Sequence, residues 1–516
     1  MSEFPSHAPL LPEILALHGR WRGSKEAVIV DGRRITWAHF MDDVHRMAHG
    51  MRVQGVCTGD RVGVFMGNGY PMLTTLMACL SGGAVSVPLN TSVADEAIVA
   101  MLTDAEITML VVSNEFRPRF DTLLSELPVK PLLVSDVEIP GWIALAALKA
   151  GQSNDLPEVG LVEDSGLNII YSSGTTGLPK GIFHTHRGRR DWAYDLSIAL
   201  RYHGGARTLL TIGLYSNISW VAMLCTLLAG GTVVIHSRFD GAAFLDTVAA
   251  ERITHTAMVP VQFQRVVELQ RDAPRDLSSM EAMMSCGSPL HEGLKKEIFE
   301  QYTCGIIELY GLTEGIITTL DPEDADGRWA SVGKPLIGTD IRIVDDKGRP
   351  CPAGTAGEVV SRGRITMPGY WRRNEANAGA LYVDEDGLFW LRSGDIGSLD
   401  GEGFLYIVDR KKDMILSGGQ NIYPQDIEAV LVDHHQVRDV AVIGVPSKRW
   451  GETPLALVVL EGSAATTEDV LHWANGRLGK QQRLSGCVSV DALPRNPNGK
   501  ILKRELRSVY GAYSLD

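Results

Sequence analysis

Tyr171-Ser172-Ser173-Gly174-Thr175-Thr176-Gly177-Leu178-Pro179-Lys180-Gly181 is the stretch from which this chain is read. Five hydroxyl side chains, three glycines and one lysine fall within eleven positions. Leu167-Asn168-Ile169-Ile170 precedes it and Ile182-Phe183 follows, so a strand is expected to open into a donor-rich loop between apolar segments. Glycine lets a backbone approach a ligand closely and adopt positive φ. Free N–H groups, hydroxyls and an ammonium together suit a polyphosphate. The spacing is not that of a Walker A loop, because Pro179 comes five residues after Gly174 and no Gly-Lys-Ser/Thr is present. The loop therefore points to nucleotide chemistry outside the P-loop NTPases. The plainer alternative is a Gly/Ser/Thr linker, which rarely lies between strand-like runs.

Around this loop the chain alternates. Trp37 to Gly55 has helical apolar spacing, Arg61–Phe65 reads as a buried strand, Met72–Leu80 as a helix and Ala84–Pro88 as a strand. Thr108–Val112, Lys130–Val134, Gly231–Ile235 and Ala257–Pro260 continue the rhythm, which predicts a largely parallel sheet with helices on both faces. From about Ser331 short strands with Asp/Gly turns predict a β-rich subdomain. The last hundred or so residues read as a small α+β unit, with helices over Gln425–Val432 and Glu468–Leu478 and strands over Val440–Val445 and Leu455–Leu460. The fold class is α/β: a large N-terminal domain of parallel α/β subdomains plus a β-rich subdomain, followed by a small α+β C-terminal domain.

The bulk properties narrow the partners. The chain has 516 residues, 45% hydrophobic and 22% charged, ordinary for a globular protein of two to four domains. With Lys plus Arg at 49 and Asp plus Glu at 62, the net charge of −13 argues against nucleic acid or an anionic membrane as the main partner. The seven cysteines contain no CxxC pair and read as reduced thiols in a cytoplasmic protein. The apolar runs 73–89 and 221–235 are interrupted by Gly-Gly and read as a helix followed by a buried strand. No signal-peptide pattern is expected at Met1–Arg22.

Five further segments follow the loop in order: Tyr310-Gly311-Leu312-Thr313-Glu314, Ser393-Gly394-Asp395, Asp409-Arg410-Lys411-Lys412-Asp413, Gly418-Gly419-Gln420-Asn421-Ile422-Tyr423-Pro424, and Pro494-Arg495-Asn496-Pro497-Asn498-Gly499-Lys500. In this order and at these separations the chain resembles the adenylate-forming superfamily of acyl-CoA synthetases, luciferase and peptide-synthetase adenylation domains. It is most similar to AMP-forming acid–CoA ligases, over about residues 20–507. The resemblance implies ATP, Mg2+ and coenzyme A. A carboxylate attacks the α-phosphate of ATP to give an acyl-adenylate and pyrophosphate, and a thiol then takes the acyl group and releases AMP.

The resemblance also implies roles. Ser172, Ser173, Gly174, Thr175, Thr176 and Lys180 would hold the β- and γ-phosphates and neutralise the leaving pyrophosphate. Glu314 would be the magnesium ligand, since a hard cation bridging phosphates wants a carboxylate oxygen. Thr313 would donate to the α-phosphate. Tyr310 and Gly287-Ser288 would surround adenine, although either also fits ordinary core or loop, and Glu308 and Gly311 would belong to the same ATP set. Asp395 would accept from the ribose hydroxyls, with Arg410 beside it and Asn421 in the same ATP set. Lys500 would bridge the attacking carboxylate and the α-phosphate, because two like-charged reactants need a cation between them. Lys412 would be the hinge between a domain spanning 1–409 and a mobile domain spanning 410–516. Gly418 and Gly419 would line the CoA tunnel after rotation.

Gly213-Leu214-Tyr215-Ser216 stands where many relatives carry Pro-Leu-Phe-His, so Tyr215 or Trp220 is expected to replace the histidine gate. Tyr215, Trp220, Val259 and Gly311, with Val221, Met258, Met284 and Ile306 nearby, form the expected acyl pocket. Its scarcity of charge fits an apolar aliphatic or aryl monocarboxylate better than a dicarboxylate. The expected partners are the acid, ATP and CoA, with no nucleic acid and no integral membrane association, in a chain that could pair as a homodimer. Two other readings stay open: an adenylating enzyme that loads a carrier protein, and a non-catalytic acyl or nucleotide sensor.

Overall fold

The computed structural model describes residues 8–171, 179–417, 420–462, 466–480, 482–496, 499–511 and 513. The chain packs into two compact units. The first comprises Met1–Ala330, Pro335–Thr339 and Arg362–Gly379; the second comprises Ser331–Lys334, Asp340–Ser361 and Ala380–Asp516.

The first unit is built on two sheets. One has eight strands in the order Gly369–Tyr370, Gly181–Thr185, Gly166–Tyr171, Val85–Pro88, Arg61–Phe65, Met109–Val112, Leu132–Ser135 and Ile143–Ala144. Its pairings are parallel from Gly166–Tyr171 to Ile143–Ala144 and antiparallel at the other edge. The other sheet places Ile316–Leu320, Ile307–Leu312, Ala282–Ser285, His255–Met258, Arg207–Leu210, Thr232–Ile235, Glu26–Val30 and Arg33–Thr36 side by side. Its middle strands are parallel, and hairpins close both ends antiparallel. Strands such as Val85–Pro88 and Thr232–Ile235 are buried throughout, which explains why they read as unbroken apolar runs.

Helices cover the faces, as the alternation predicts. Trp37–Val53 starts on Thr36, whose hydroxyl accepts from the His39 amide at 3.4 Å. Asn217–Ala229 is buried along almost its whole length and ends at Gly230 with φ 74°, after which Thr232–Ile235 begins. Among the described residues no helix is long and apolar enough to cross a membrane.

The second unit carries a five-stranded sheet and an α+β segment. In the sheet, Thr339–Val344, Gly357–Gly363, Phe389–Leu399 and Leu381–Val383 lie in that order, and Leu405–Arg410 pairs with Phe389–Leu399. The strand Phe389–Leu399 carries Ser393-Gly394-Asp395 within its length. A second five-stranded sheet joins Gln420–Ile422, Ile415–Ser417, Gly451–Leu460, Val437–Ser447 and Gly486–Ser489. Helices Pro424–Val432 and Thr467–Asn475 accompany it, at the positions their apolar spacing predicts.

Candidate active site

Four adjacent strands of the first unit, Arg207–Leu210, His255–Met258, Ala282–Ser285 and Ile307–Leu312, run parallel. Segments 211–216, 259–262 and 286–290 follow the carboxyl ends of the first three, and Thr313–Gly315 follows the fourth. The crevice outside strand carboxyl ends is where open α/β sheets bind ligands. Gly287 is exposed with φ 94°, a turn that suits glycine, and Ser288 and Tyr310 are half-buried. Gly311 is exposed and Thr313 half-buried. Glu308 is 6% exposed and its carboxylate is ion-paired with the buried Lys295, whose ammonium also donates to the Trp329 carbonyl at 2.5 Å. Burial pushes the Glu308 carboxyl up, against the lowering effect of Lys295.

The departure at Gly213–Ser216 has a structural account. Ser216 is buried, and its hydroxyl accepts from the Ile218 amide at 3.3 Å to cap helix Asn217–Ala229. The residue in the gate histidine's place is therefore committed to a helix start. The Tyr215 ring folds back over Gly213, where a Cβ would lie 2.1 Å from its Cε1. Trp220 is fully enclosed, and its indole N–H donates to the Leu214 carbonyl at 2.9 Å. Trp220 thus backs the segment from behind, while the half-buried Tyr215 lies at its surface. Trp220, Val221, Val259 and Met284 share one core cluster, against which Tyr215 packs. Met258 and Ile306 belong to a different cluster, with Phe244 and Phe263. Met258 and Val259 are neighbours in sequence, and the alternation of side chains separates them.

Ser172, Ser173, Gly174, Thr175 and Thr176 lie outside the described residues, as do Gly418 and Gly419. The strands flanking the loop, Gly166–Tyr171 and Gly181–Thr185, pair antiparallel. Lys180 emerges beside the second strand with its ammonium 4.9 Å from the centroid of the Tyr370 ring. The Tyr370 hydroxyl donates to Glu314 Oε1 at 2.9 Å. Around this contact the Trp371 amide donates to the Gly181 carbonyl at 2.7 Å, and the Met367 amide to the Glu314 carbonyl at 2.8 Å. Burial and the Glu314 charge hold the Tyr370 phenol well above its ordinary range, so it stays a donor. Gly315 turns with φ 114°, and a Cβ there would sit 2.5 Å from the Ile365 carbonyl oxygen. Sequence reasoning missed Tyr370. The run Gly369-Tyr370-Trp371-Arg372-Arg373 is distinctive, but nothing in its spacing links it to Glu314.

Glu314 suits a magnesium ion. It is a half-buried carboxylate whose Oε1 accepts from a neutral donor, the Tyr370 hydroxyl. Among the described residues no group of three or more His, Cys, Asp or Glu side chains could cage a metal. A single carboxylate with the remaining ligands from phosphates and water is the usual arrangement for magnesium.

In the second unit, Asp395 is 2% exposed and Arg410 Nε lies 2.6 Å from its Oδ1. The two face each other across paired strands, and Gly394 at φ 69° gives the turn that presents Asp395. Ser393 holds that turn, its hydroxyl donating to the Val359 carbonyl at 2.6 Å and accepting from the Asp395 amide at 2.9 Å. Lys500 lies next to the Arg495–Ile501 bridge, with its amide donating to Asn496 Oδ1 at 2.8 Å. Burial pushes the Lys500 ammonium down to about 8; Arg410 and Lys412 also lower it, while Asp395 and Asp413 oppose them. The structure therefore brings Asp395, Arg410, Lys412 and Lys500 together. Asn421 is exposed on the short strand Gln420–Ile422.

Comparison with known proteins identifies the family. Residues 18–371 match the model of the AMP-binding enzyme family, and residues 426–500 match that of the AMP-binding enzyme C-terminal domain. The chain is 36% identical to a feruloyl-CoA synthase from an Amycolatopsis species, covering 94% of this chain and 96% of the relative. It is 34% identical to an indoleacetate–CoA ligase from Aromatoleum aromaticum, covering 97% and 98%. The crystal structure of ATP-bound MatB from Rhodopseudomonas palustris superposes with a TM-score of 0.87 at 28% identity, covering 96% of this chain and 99% of that one. A family match over most of the chain, with relatives aligned along nearly all of it, means that the protein belongs to the AMP-binding enzyme family of adenylate-forming enzymes.

Proposed function

We propose that the protein is an AMP-forming acid–CoA ligase acting on an apolar monocarboxylate, aryl or aliphatic. The observation that carries this reading is Lys500 within electrostatic reach of the Asp395–Arg410 pair, a half-buried cation near a carboxylate suited to ribose. An ammonium lowered to about 8 is still mostly charged at neutral pH and can be desolvated against two anions. Lys500 would neutralise the attacking carboxylate and the α-phosphate as the new bond to phosphorus forms and the bond to the pyrophosphate oxygen breaks. Lys180 and the hydroxyls of 172–176 would stabilise the charge growing on pyrophosphate. Thr313 would donate to the α-phosphate, and Asp395 and Arg410 would orient the ribose. Gly287, Ser288, Glu308, Tyr310, Gly311 and Asn421 complete the proposed nucleotide set.

Glu314 would hold magnesium, which when bound draws charge from the phosphates. Lys412 is the proposed hinge of a division into residues 1–409 and 410–516, and Gly418-Gly419 the proposed contact for CoA. The acyl wall is assigned to Tyr215, Val259 and Gly311, with Trp220 behind them. The apolar cluster there supports the monocarboxylate, and the names of the feruloyl and indoleacetate relatives support an aryl body. A cytoplasmic location and a homodimer belong to the same proposal; light scattering would test the dimer.

The test is a panel of hydroxycinnamates, arylacetates, benzoates and fatty acids with ATP, magnesium and CoA, scored by thioester and AMP. Preference for malonate or another dicarboxylate would overturn the substrate assignment. Loading of a phosphopantetheinyl carrier without a thioester to free CoA would overturn the ligase assignment.

A further inference from the structure

We infer that Tyr370 is a positioning residue for adenylation: its hydroxyl orients Glu314 for the divalent cation, and its ring seats the Lys180 ammonium. The inference rests on the proposed metal role of Glu314. Its basis is that one side chain touches both charged groups, through a 2.9 Å hydrogen bond and a 4.9 Å ring contact. Those groups come from segments more than a hundred residues apart, Lys180 after one strand and Glu314 in a hairpin. Among the described residues no ion pair joins Lys180 to Glu314. Tyr370 stands against each of them, where direct contact would let them neutralise one another instead of ATP and its metal.

Tyr370 is itself fixed. It pairs with Ile182 across the strands, the Asn377 amide oxygen accepts from its N–H at 2.7 Å, and the Asn377 amide nitrogen donates to its carbonyl at 3.2 Å. Its hydroxyl gives Glu314 Oε1 a neutral donor, so the carboxylate keeps its charge for a cation. Donation to Oε1 restricts a flexible side chain to one orientation. An ammonium over the ring face keeps its charge and its three donors.

ATP binding, measured without acid so that no turnover occurs, tests this in magnesium and in EDTA. Tyr370→Phe keeps the ring, the strand pairing and the packing. It is expected to raise the Kd for ATP in magnesium roughly 10-fold, with the Kd in EDTA unchanged. Tyr370→Leu should additionally weaken binding in EDTA, by roughly 3-fold, because Lys180 loses its seat. Magnesium-dependent binding in Tyr370→Phe equal to wild type, or equal losses with and without magnesium, would overturn the inference. Glu314→Gln separates the two levels. If it leaves the magnesium dependence intact, the metal assignment itself fails; if it abolishes that dependence while Tyr370→Phe does not, only the role of Tyr370 fails. Tyr370→Phe decides even where Tyr370→Leu does not fold.

Discussion

Removing the charge of Lys500 should damage catalysis and stabilise the protein together. Burial, with Arg410 and Lys412 nearby, takes its ammonium from 10.5 to about 8. At 1.36 kcal/mol per pH unit that difference puts the cost of the charged form near 3 kcal/mol. Water reaching a half-buried side chain reduces it to about 1–3 kcal/mol. The sign follows from proton counting. Between pH 8 and 10.5 the unfolded chain binds the proton and the folded one releases it, so the penalty is complete below pH 8 and disappears as pH rises towards 10.5.

Lys500→Met should therefore gain about 1–3 kcal/mol in urea unfolding at pH 7 and lose that gain near pH 10.5. Adenylation, followed by exchange of labelled pyrophosphate into ATP, should fall roughly 10²–10³-fold from the loss of one transition-state donor. Thioester formation from supplied acyl-adenylate should fall far less. The wild-type exchange rate should decline with a midpoint near pH 8 as the lysine deprotonates, and Lys500→Arg should abolish that limb. A wild-type rate unchanged to pH 10, or a Lys500→Met protein less stable than wild type at pH 7, would refute the reasoning.

Other perturbations test separate parts of the structure. Lys295→Met leaves the Glu308 carboxylate buried without its cation and should cost about 3–5 kcal/mol at pH 7.5. Part of that loss should return as the pH is lowered, because a carboxyl raised by burial takes its proton at a higher pH than an ordinary one; a loss that does not shrink with falling pH in thermal melts would contradict it. Gly213→Ala places a Cβ 2.1 Å from the Tyr215 ring and forces the ring to move. The KM for the acid should rise roughly 10-fold, the kinetic equivalent of a small overpacking cost, with the KM for ATP unchanged. Gly315→Ala meets both a φ of 114° and the Ile365 carbonyl at 2.5 Å, and should lose at least about 1–3 kcal/mol in urea unfolding together with magnesium-dependent ATP binding.

What could be read from the chain depended on whether the deciding interaction was local. Buried parallel strands announce themselves as apolar runs, and the charged candidates Lys180, Glu314, Asp395, Arg410 and Lys500 sit in short glycine-rich or turn-rich segments, so the strands and these candidates could be picked out from the chain. Tyr370 was not, because its meeting with Glu314 depends on Gly369–Tyr370 pairing with Gly181–Thr185, and no periodicity encodes which strands become neighbours. Ser216, in the place of the gate histidine, is a helix cap, a role set by a turn geometry that residue type alone permits but does not require. Trp220 and Tyr215 looked interchangeable as apolar walls until the indole N–H found the Leu214 carbonyl and the phenol ring found the space left by Gly213. That last pairing bears on the chemistry of the pocket. With the histidine position committed to a cap and Trp220 enclosed, Tyr215 is the aromatic group left at the surface of the segment, and its position depends on the missing side chain two residues earlier. Choice of acid should therefore respond to position 213 as strongly as to Tyr215 itself, although glycine has no side chain with which to touch a substrate.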